Sequence, residues 1–405
     1  MWFANFLVAA SATMIMPFLS LYIETMGDFS EEYVQRWAGF VFGITFLTAF
    51  LMSPIWGRFA DKYGYKKILV ITGFGIATSI FFMGFMHSVI ALFILRMFMG
   101  AVTGFIPTSL AFISSQTPKE IAGKTLGTLQ TGNVTGSLFG PVIGGMMADK
   151  FGFQYTFIYT SISIAIATMI VLFAIREKRT DKKLKEKQYS RKEVLSYIFT
   201  SRDLLTIMLI SLLVQIGIFS IQPLLALYVN QLNGSENVAF LAGFAFSATG
   251  FGNLLATRQW GKLGDSIGYE KVLKILLISS AIAFIPQALV NEVWQLILFR
   301  FLLGIAVGGI TPSVTAYIRN EVPLSIQGEV LGYNTSFRFL GNVIGPSFGG
   351  MISGFIGISA VFYITSSLFL FAFGLLWWSM KNLKEKNTHS KLKHSFHGNT
   401  RSHSK

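Results

Sequence analysis

Long apolar runs follow one another along most of this chain, and short polar links separate them. Each run is close to the length of about 20 residues that a helix needs to cross a bilayer. The runs are too long for the alternating pattern of a membrane β-strand. The sequence therefore predicts an all-α integral membrane protein with twelve spanning helices, numbered here as spans one to twelve, near residues 1–26, 35–57, 68–86, 89–113, 125–148, 154–176, 204–230, 237–258, 271–290, 293–318, 328–353 and 358–380.

The composition supports a membrane protein and disfavours an enzyme. The chain is 52% hydrophobic and only 13% charged, whereas soluble domains carry about 25% charged residues. No nucleophile–base set of the hydrolase kind is visible in the sequence, so we predict that the protein is not an enzyme. The absence of cysteine excludes thiolate metal sites, and we expect neither a metal nor a cofactor.

Positive charge is concentrated in alternate links. The formal net charge is +14, which in a soluble protein would suggest binding to nucleic acid. Here the lysines and arginines gather in the link after span two, in the central link and in the tail, all on one side of a twelve-span chain. Cytoplasmic links are the ones rich in these residues. We therefore predict a multi-pass protein of the cytoplasmic membrane with both termini in the cytoplasm, in contact with anionic lipids and not with nucleic acid.

The two halves of the chain repeat at a nearly constant spacing. The matching residues recur 204 or 205 positions later in the same order, as Gly57 and Gly261, Asp61 and Asp265, Gly64 and Gly268, Arg96 and Arg300, and the runs 136–145 and 341–350. Two parallel six-helix halves, with a cavity between them at the bilayer midplane, are an architecture of secondary transporters. We predict an N-terminal half at 1–176, a basic cytoplasmic linker at 177–203, a C-terminal half at 204–380 and a disordered tail at 381–405.

The link between spans two and three reads GRFADKYGYKK. Basic residues alone would fit an ordinary cytoplasmic link, but the spacing of glycine, acid and bases is specific, and it echoes in GKLGDSIGYEK of the second half. The segment resembles the loop signature of the major facilitator superfamily. It departs from that signature at Tyr65, where a basic residue is usual, and the second copy departs at Ser266 and Glu270. The resemblance implies a gating motif made of Gly57, Asp61, Lys62, Gly64, Lys66, Lys67, Gly261, Asp265 and Gly268.

Span five contains GSLFGPVIGG at positions 136–145. Glycines four residues apart form one smooth helix face for close packing, and a proline adds a kink. An ordinary helix contact would explain the glycines as well. The spacing resembles the antiporter motif of drug exporters in the superfamily, which importers usually lack. The motif consists of Gly136, Gly140, Pro141, Gly144 and Gly145.

The resemblance extends over nearly the whole chain except the tail. PFLSLYIETMG in span one, GTLQTGNVTGSLFGP in span five and YNTSFRFLGNVIGP in span eleven are similar to the MdtG-type multidrug exporters. This similarity implies the major facilitator fold and proton-coupled export of drug-like small molecules by alternating access, and we expect a monomer. Two alternatives stay open on the same fold, an importer or facilitator and a lipid flippase. The two-half repeat disfavours a membrane enzyme or receptor.

Polar side chains within the apolar spans mark the expected cavity. A charge inside the membrane costs at least about 2.5–3.5 kcal/mol on insertion scales, yet Arg96 and Arg300 occupy equivalent positions in the two halves. Polar residues also recur at helical spacing along spans five, seven and eleven, although plain interhelical hydrogen bonding would explain the amides equally well. We predict a substrate cavity lined by Asn133, Gln215, Gln222, Arg300, Asn334, Arg338 and Asn342.

A proton carrier must titrate and reach water from each side in turn, and transporters usually employ carboxylates for this. Few carboxylates fall within the spans. Glu24, about one helical turn before Gly27, is the best remaining candidate, with a solvated acid at a helix end as the alternative. We predict that Glu24 takes part in proton coupling. Arg96 matches the fourth-helix arginine motif of the superfamily, and we predict that it modulates the coupling.

Overall fold

The structure is a computed structural model of the chain, and it describes residues 1–177, 191–234 and 236–398. This part of the chain is almost entirely helical and contains no strand. The all-α architecture predicted from the sequence is therefore confirmed. Within the same residues, ten helical segments are long and apolar enough to cross a membrane.

The helices follow the predicted spans in order. The first six spans are Trp2–Met14 with Leu19–Glu24, Glu31–Tyr63, Tyr65–Met83, Val89–Ala101 with Phe105–Gln116, Lys119–Phe151, and Phe153–Ala174. The last six are Arg202–Ile221 with Leu225–Asn233, Val238–Ile267, Tyr269–Phe284, Val293–Val307 with Ile310–Glu321, Leu324–Ile356, and Ile358–Gly398. A short helix, Arg191–Thr200, precedes span seven.

Two predicted spans are missing from the ten apolar segments, and each has a physical reason. Span one is interrupted between Met14 and Leu19, where Pro17 has no N–H to donate to a helical hydrogen bond. Span five is a continuous helix of 33 residues. Its sequence carries many glycines and threonines besides its charged residues, which lowers its apolarity without breaking the helix.

Four pairs of consecutive spans are joined through a single glycine. Gly64 and Gly268 have φ angles of 102° and 93°, and Gly152 and Gly357 have angles of 85° and 86°. Residues with a Cβ adopt such angles at a steric cost, and glycine does not. The equivalent links of the two halves therefore turn in the same way.

The internal repeat also appears in hydrogen bonds. The indole Nε1 of Trp56 donates to the Ala101 carbonyl at 2.7 Å. Trp260, 204 positions later, donates to the Ile305 carbonyl at the same distance. Each bond ties the second span of a half to the broken fourth span, so the two halves share internal contacts as well as sequence.

The chain ends differently from the prediction. The last helix continues to Gly398, whereas the sequence predicted a disordered tail from residue 381. Extending a formed helix costs less than nucleating one, and the apolar part of span twelve supplies the nucleus. Residues 399–405 and positions 178–190 of the predicted linker lie outside the described residues.

Candidate functional site

The most extensive contacts between the two halves involve four spans. Span two packs on span eleven, and span five packs on span eight. One end of these spans is called the basic end, because it carries the link near 58–67 and the described flanks of the central link, 176–177 and 191–203. The opposite end of the spans is called the far end.

The backbones of the two halves approach closely toward the far end. Gly39 of span two lies against Pro346 and Gly350 of span eleven. Gly243 of span eight lies against Pro141 of span five. A Cβ at Gly39 or Gly243 would overlap a proline carbonyl oxygen of the opposite half, so these contacts require glycine.

The halves separate toward the basic end. Six glycines of the same four spans have no heavy atom of the described residues within 4 Å of where a Cβ would lie, outside their own helix and chain neighbours: Gly57, Gly123, Gly127, Gly261, Gly328 and Gly332. The space between the halves is thus open at the basic end and closed at the far end. An alternating-access protein would pass through such a state.

The glycine run of span five packs within its own half. Gly136 and Gly140 lie against the backbone of Ala10 in span one, and Gly144 lies against Met14. Equivalent glycines of span eleven pack in the same way on span seven. This smooth face lets spans one and five approach without side chains between them.

The last glycine of each run crosses to the other half. A Cβ at Gly145 would overlap the Ala239 carbonyl of span eight, and one at Gly350 would lie 2.6 Å from the Gln35 carbonyl of span two. The run therefore joins the packing inside a half to the contact between halves. The sequence predicted the smooth face and did not predict which glycine lies at the interface.

Asp149 is a far-end residue that the sequence analysis missed. Its carboxylate accepts hydrogen bonds from the backbone N–H groups of Ala239 at 3.2 Å and of Phe240 at 2.7 Å. These groups belong to the first turn of span eight, where unpaired N–H groups favour an acid. The sequence signal that could have indicated this contact is an acid in the last turn of span five. The repeat did not reveal it, because the equivalent position is Gly354.

Most of the predicted gating loop is helical. Span two continues to Tyr63, and Gly64 alone forms the link. Asp61 accepts a hydrogen bond from the Tyr65 hydroxyl at 2.6 Å. The equivalent Asp265 accepts one from Tyr269. In this state both aspartates are therefore engaged within their own links.

A second carboxylate stabilises the same link. Glu177, which follows span six, accepts hydrogen bonds from the backbone N–H groups of Tyr65 at 2.9 Å and of Lys66 at 3.0 Å. It thereby caps the first turn of span three. Lys62 and Lys67 are exposed beside this link, and Lys66 is half-buried.

Arg96 and Arg300 are both buried inside their halves. Arg96 is 3% exposed, and its Nε and Nη2 atoms find no acceptor in the described part of the chain. Arg300 is 4% exposed, and its Nε donates to the Ala245 carbonyl at 3.5 Å. Neither guanidinium forms an ion pair with a described residue. Arg300 thus lies against span eight and does not line the polar pocket described next.

Three of the predicted cavity residues share one pocket. Gln215 of span seven and Asn334 and Arg338 of span eleven line it, together with Ser211 and Thr311. The Oδ1 atom of Asn334 is buried and has no donor among the described residues. The pocket therefore combines a guanidinium with amide and hydroxyl groups in the C-terminal half.

The other predicted cavity residues lie elsewhere. Asn133 donates to the Oε1 atom of Gln130, one turn away in span five, at 3.1 Å. Gln222 forms the 3₁₀ turn that interrupts span seven. Asn342 is half-buried on span eleven and does not line the pocket of Arg338.

Glu24 ends the second helix of span one. Its side chain is exposed. It lines a recess between the halves with Glu31, Gln35 and Asn230. This places Glu24 at the closed far end and not in the cavity, and its part in proton coupling stays a prediction.

The family model of the Major Facilitator Superfamily matches residues 1–254 and 207–401 of the chain. An uncharacterized MFS-type transporter of Bacillus subtilis, YuxJ, is 61% identical over 386 residues, which cover 95% of this chain and 98% of YuxJ. The multidrug resistance protein MdtG of Salmonella typhi is 39% identical over 381 residues, which cover 94% of each chain.

The fold is shared with solved structures of low sequence identity. The nucleoside transporter NupG superimposes with a TM-score of 0.78 at 13% identity, over 94% of this chain and 98% of NupG. The two six-helix halves, their repeat and the family match agree. The chain belongs to the major facilitator superfamily of membrane transporters.

Proposed function

We propose that the protein is a secondary active exporter of drug-like small molecules, driven by protons and working by alternating access. The likeness to MdtG multidrug resistance proteins along almost the whole chain carries this proposal. The glycine run of span five supports it, since the run forms the interface with span one and ends at the contact between halves. The pocket of Gln215, Asn334 and Arg338 has a volume of only about 10 Å³, so it offers contacts to one polar group of a substrate and not room for a whole drug-like molecule.

The charge distribution supports an orientation for this exporter. The basic end is rich in lysine and arginine, and such links face the cytoplasm. Both termini then lie in the cytoplasm of a cell-membrane protein. The structure is then the inward-facing state, ready to take substrate from the cytoplasm.

The proposal is tested by drug susceptibility and dye accumulation in cells. Overexpression should raise the inhibitory concentration of several drugs and lower dye accumulation relative to cells with the empty vector. Collapse of the proton gradient should remove both differences. Higher accumulation on overexpression would contradict export and favour import on the same fold.

Asp61→Asn should leave membrane insertion intact and slow transport about tenfold. In the outward-facing state, Asp61 would hold the cytoplasmic ends of the halves together, and a carboxylate at a helix N-terminus contributes up to about 2 kcal/mol. Efflux rates of equal amounts of membrane-inserted protein measure the effect. Asp265→Asn is the matched control, with a smaller expected loss, because its copy of the motif lacks two of the basic residues. Normal efflux by Asp61→Asn would exclude the gating role.

Arg338→Ala should weaken the handling of anionic compounds about tenfold and leave cationic compounds nearly unchanged. A hydrogen bond to a charged group contributes about 1.5–3 kcal/mol, and the Arg338 guanidinium lines the polar pocket. Transport of one anionic and one cationic dye measures the difference. Arg338→Lys keeps the charge and should retain most of the anion transport. An equal loss for both dyes would show that the residue is structural.

A further inference from the structure

The far end contains a polar recess that the exporter proposal does not use. Five polar side chains line it, Glu24 from span one, Glu31 and Gln35 from span two, and Asn230 and Gln231 from span seven. We call it the far-end recess. It lies between the two halves, because spans one and two belong to the first half and span seven to the second.

The recess is rich in oxygen acceptors. Glu24 and Glu31 contribute two carboxylates to the same small recess, and like charges that share a site repel each other. None of the described residues that line the recess is basic. Arg36, which follows Gln35 in sequence, is directed elsewhere, to the Glu32 carboxylate and the Phe355 ring.

Gln35 supplies the observation that points to a ligand. Its side chain is only 5% exposed, and its Oε1 atom has no hydrogen-bond donor among the described residues. A buried carbonyl oxygen without a partner costs about 1–3 kcal/mol. The Gln35 side chain lines the same recess as the two carboxylates, so a bound cation that this oxygen turned to meet would satisfy it and relieve their repulsion.

The recess also occupies a symmetric place in the molecule. Glu24 and Asn230 are equivalent positions of spans one and seven, since both follow the equivalent tyrosines Tyr22 and Tyr228 by two residues. Those tyrosines donate to equivalent carbonyls, of Met83 at 2.9 Å and of Gln287 at 2.8 Å. Equivalent residues of both halves thus meet in one recess, where the halves close on each other.

We propose that the far-end recess binds a hard divalent cation of the Ca²⁺ type. Carboxylate and amide oxygens are the ligands that Ca²⁺ prefers. The recess offers two side-chain carboxylates and three side-chain amides. The bound cation would bridge the two halves. The proposal does not depend on the transported substrate or on the direction of transport.

The cation would favour one conformation. The ligands come from both halves, so the complete site exists only while the far end is closed. A ligand that binds one state better shifts the population toward that state. Ca²⁺ should therefore stabilise the far-end-closed state and oppose its opening.

Calcium titration of the purified full-length protein in detergent, at constant ionic strength, tests the binding. We expect saturable heat release and a higher Tm with Ca²⁺. Glu24→Gln, Glu31→Gln and Gln35→Leu should each weaken the affinity at least about tenfold, since affinity follows ligand charge and number. Glu32→Gln is the matched control, because Glu32 neighbours Glu31 and pairs with Arg36. The Ca²⁺ affinity of this variant should change less than twofold. No saturable binding, or an equal loss in Glu32→Gln, would overturn the proposal.

A distance measurement tests the conformational effect. The natural chain has no cysteine, so spin labels can be placed at Asp28→Cys and Asn291→Cys in two exposed far-end links without removing native thiols. Ca²⁺ should shift the distances between the two labels toward the shorter values of the closed state when the labelled protein has no other substitution. The same labels should show no change with Ca²⁺ in Glu24→Gln. A Ca²⁺ response retained in Glu24→Gln, or a shift toward the open state, would overturn the proposal. Neither experiment measures drug transport, so the cation-binding proposal and the exporter proposal are tested independently.

Discussion

Gly145→Val should reduce transport by at least about a hundredfold while the protein still inserts in the membrane. Gly145 lies against the Ala239 backbone of the opposite half, and even a Cβ would overlap the Ala239 carbonyl oxygen. Packed interfaces do not deform continuously to accept new atoms. The larger valine side chain should therefore prevent far-end closure and hold the protein in the outward-facing state.

Dye efflux and far-end distances in the same preparation check this prediction. Efflux should fall to near background, and the far-end distance should lengthen. Gly374→Val is the matched control, because Gly374 of span twelve has no described heavy atom near its Cβ position beyond its own helix and chain neighbours. Full efflux by Gly145→Val would show that the interface has more room than the structure indicates.

Arg96→Met should slow transport at least about tenfold without lowering the Tm. The Arg96 guanidinium is 3% exposed and leaves two nitrogens without acceptors among the described residues. A buried charge without an ionic partner makes folding less favourable, so replacing it by an apolar side chain of similar length should be neutral or stabilising. Because the buried Arg96 guanidinium would then make folding less favourable, we expect that it has a role in transport.

Measuring thermal unfolding and efflux with the same purified variant separates a structural role of Arg96 from a role in transport. Arg300→Met is the matched control, because that guanidinium has a hydrogen bond to the Ala245 carbonyl and its removal should give the smaller gain in Tm. A clear drop in Tm for Arg96→Met, with efflux reduced in proportion to the folded protein, would mean that Arg96 is structural.

The sequence was sufficient for the fold. Spanning helices are set by local apolar length, and the two halves repeat at a fixed spacing, so both features can be read without knowing any contact. Gly64 is an example of a residue whose local conformation suits its type, since it has a φ angle of 102° in a one-residue link. The breaks within spans were harder to predict, because proline or glycine occurs at each break, as at Pro17, and also inside unbroken helices, as at Pro54 and Pro141.

The site was predictable only in part, since it depends on contacts between distant spans. Gln215, Asn334 and Arg338 do line one pocket, because they face the same space from two spans. Asp149 was missed, since its partners are backbone groups of span eight, which no side-chain pattern reveals. The sequence also could not tell which end of the cavity is closed, because both states satisfy the same apolar pattern.

Proton-coupled export is the central claim, and purified protein in liposomes tests it most directly. An imposed pH gradient should drive uphill movement of a drug-like dye, and adding the dye without a gradient should release protons in a fixed ratio to dye moved. Glu24→Gln should uncouple the two movements if Glu24 carries the proton. Dye movement that only follows its own gradient, with no proton flux, would contradict the account and leave the protein a facilitator on the same fold.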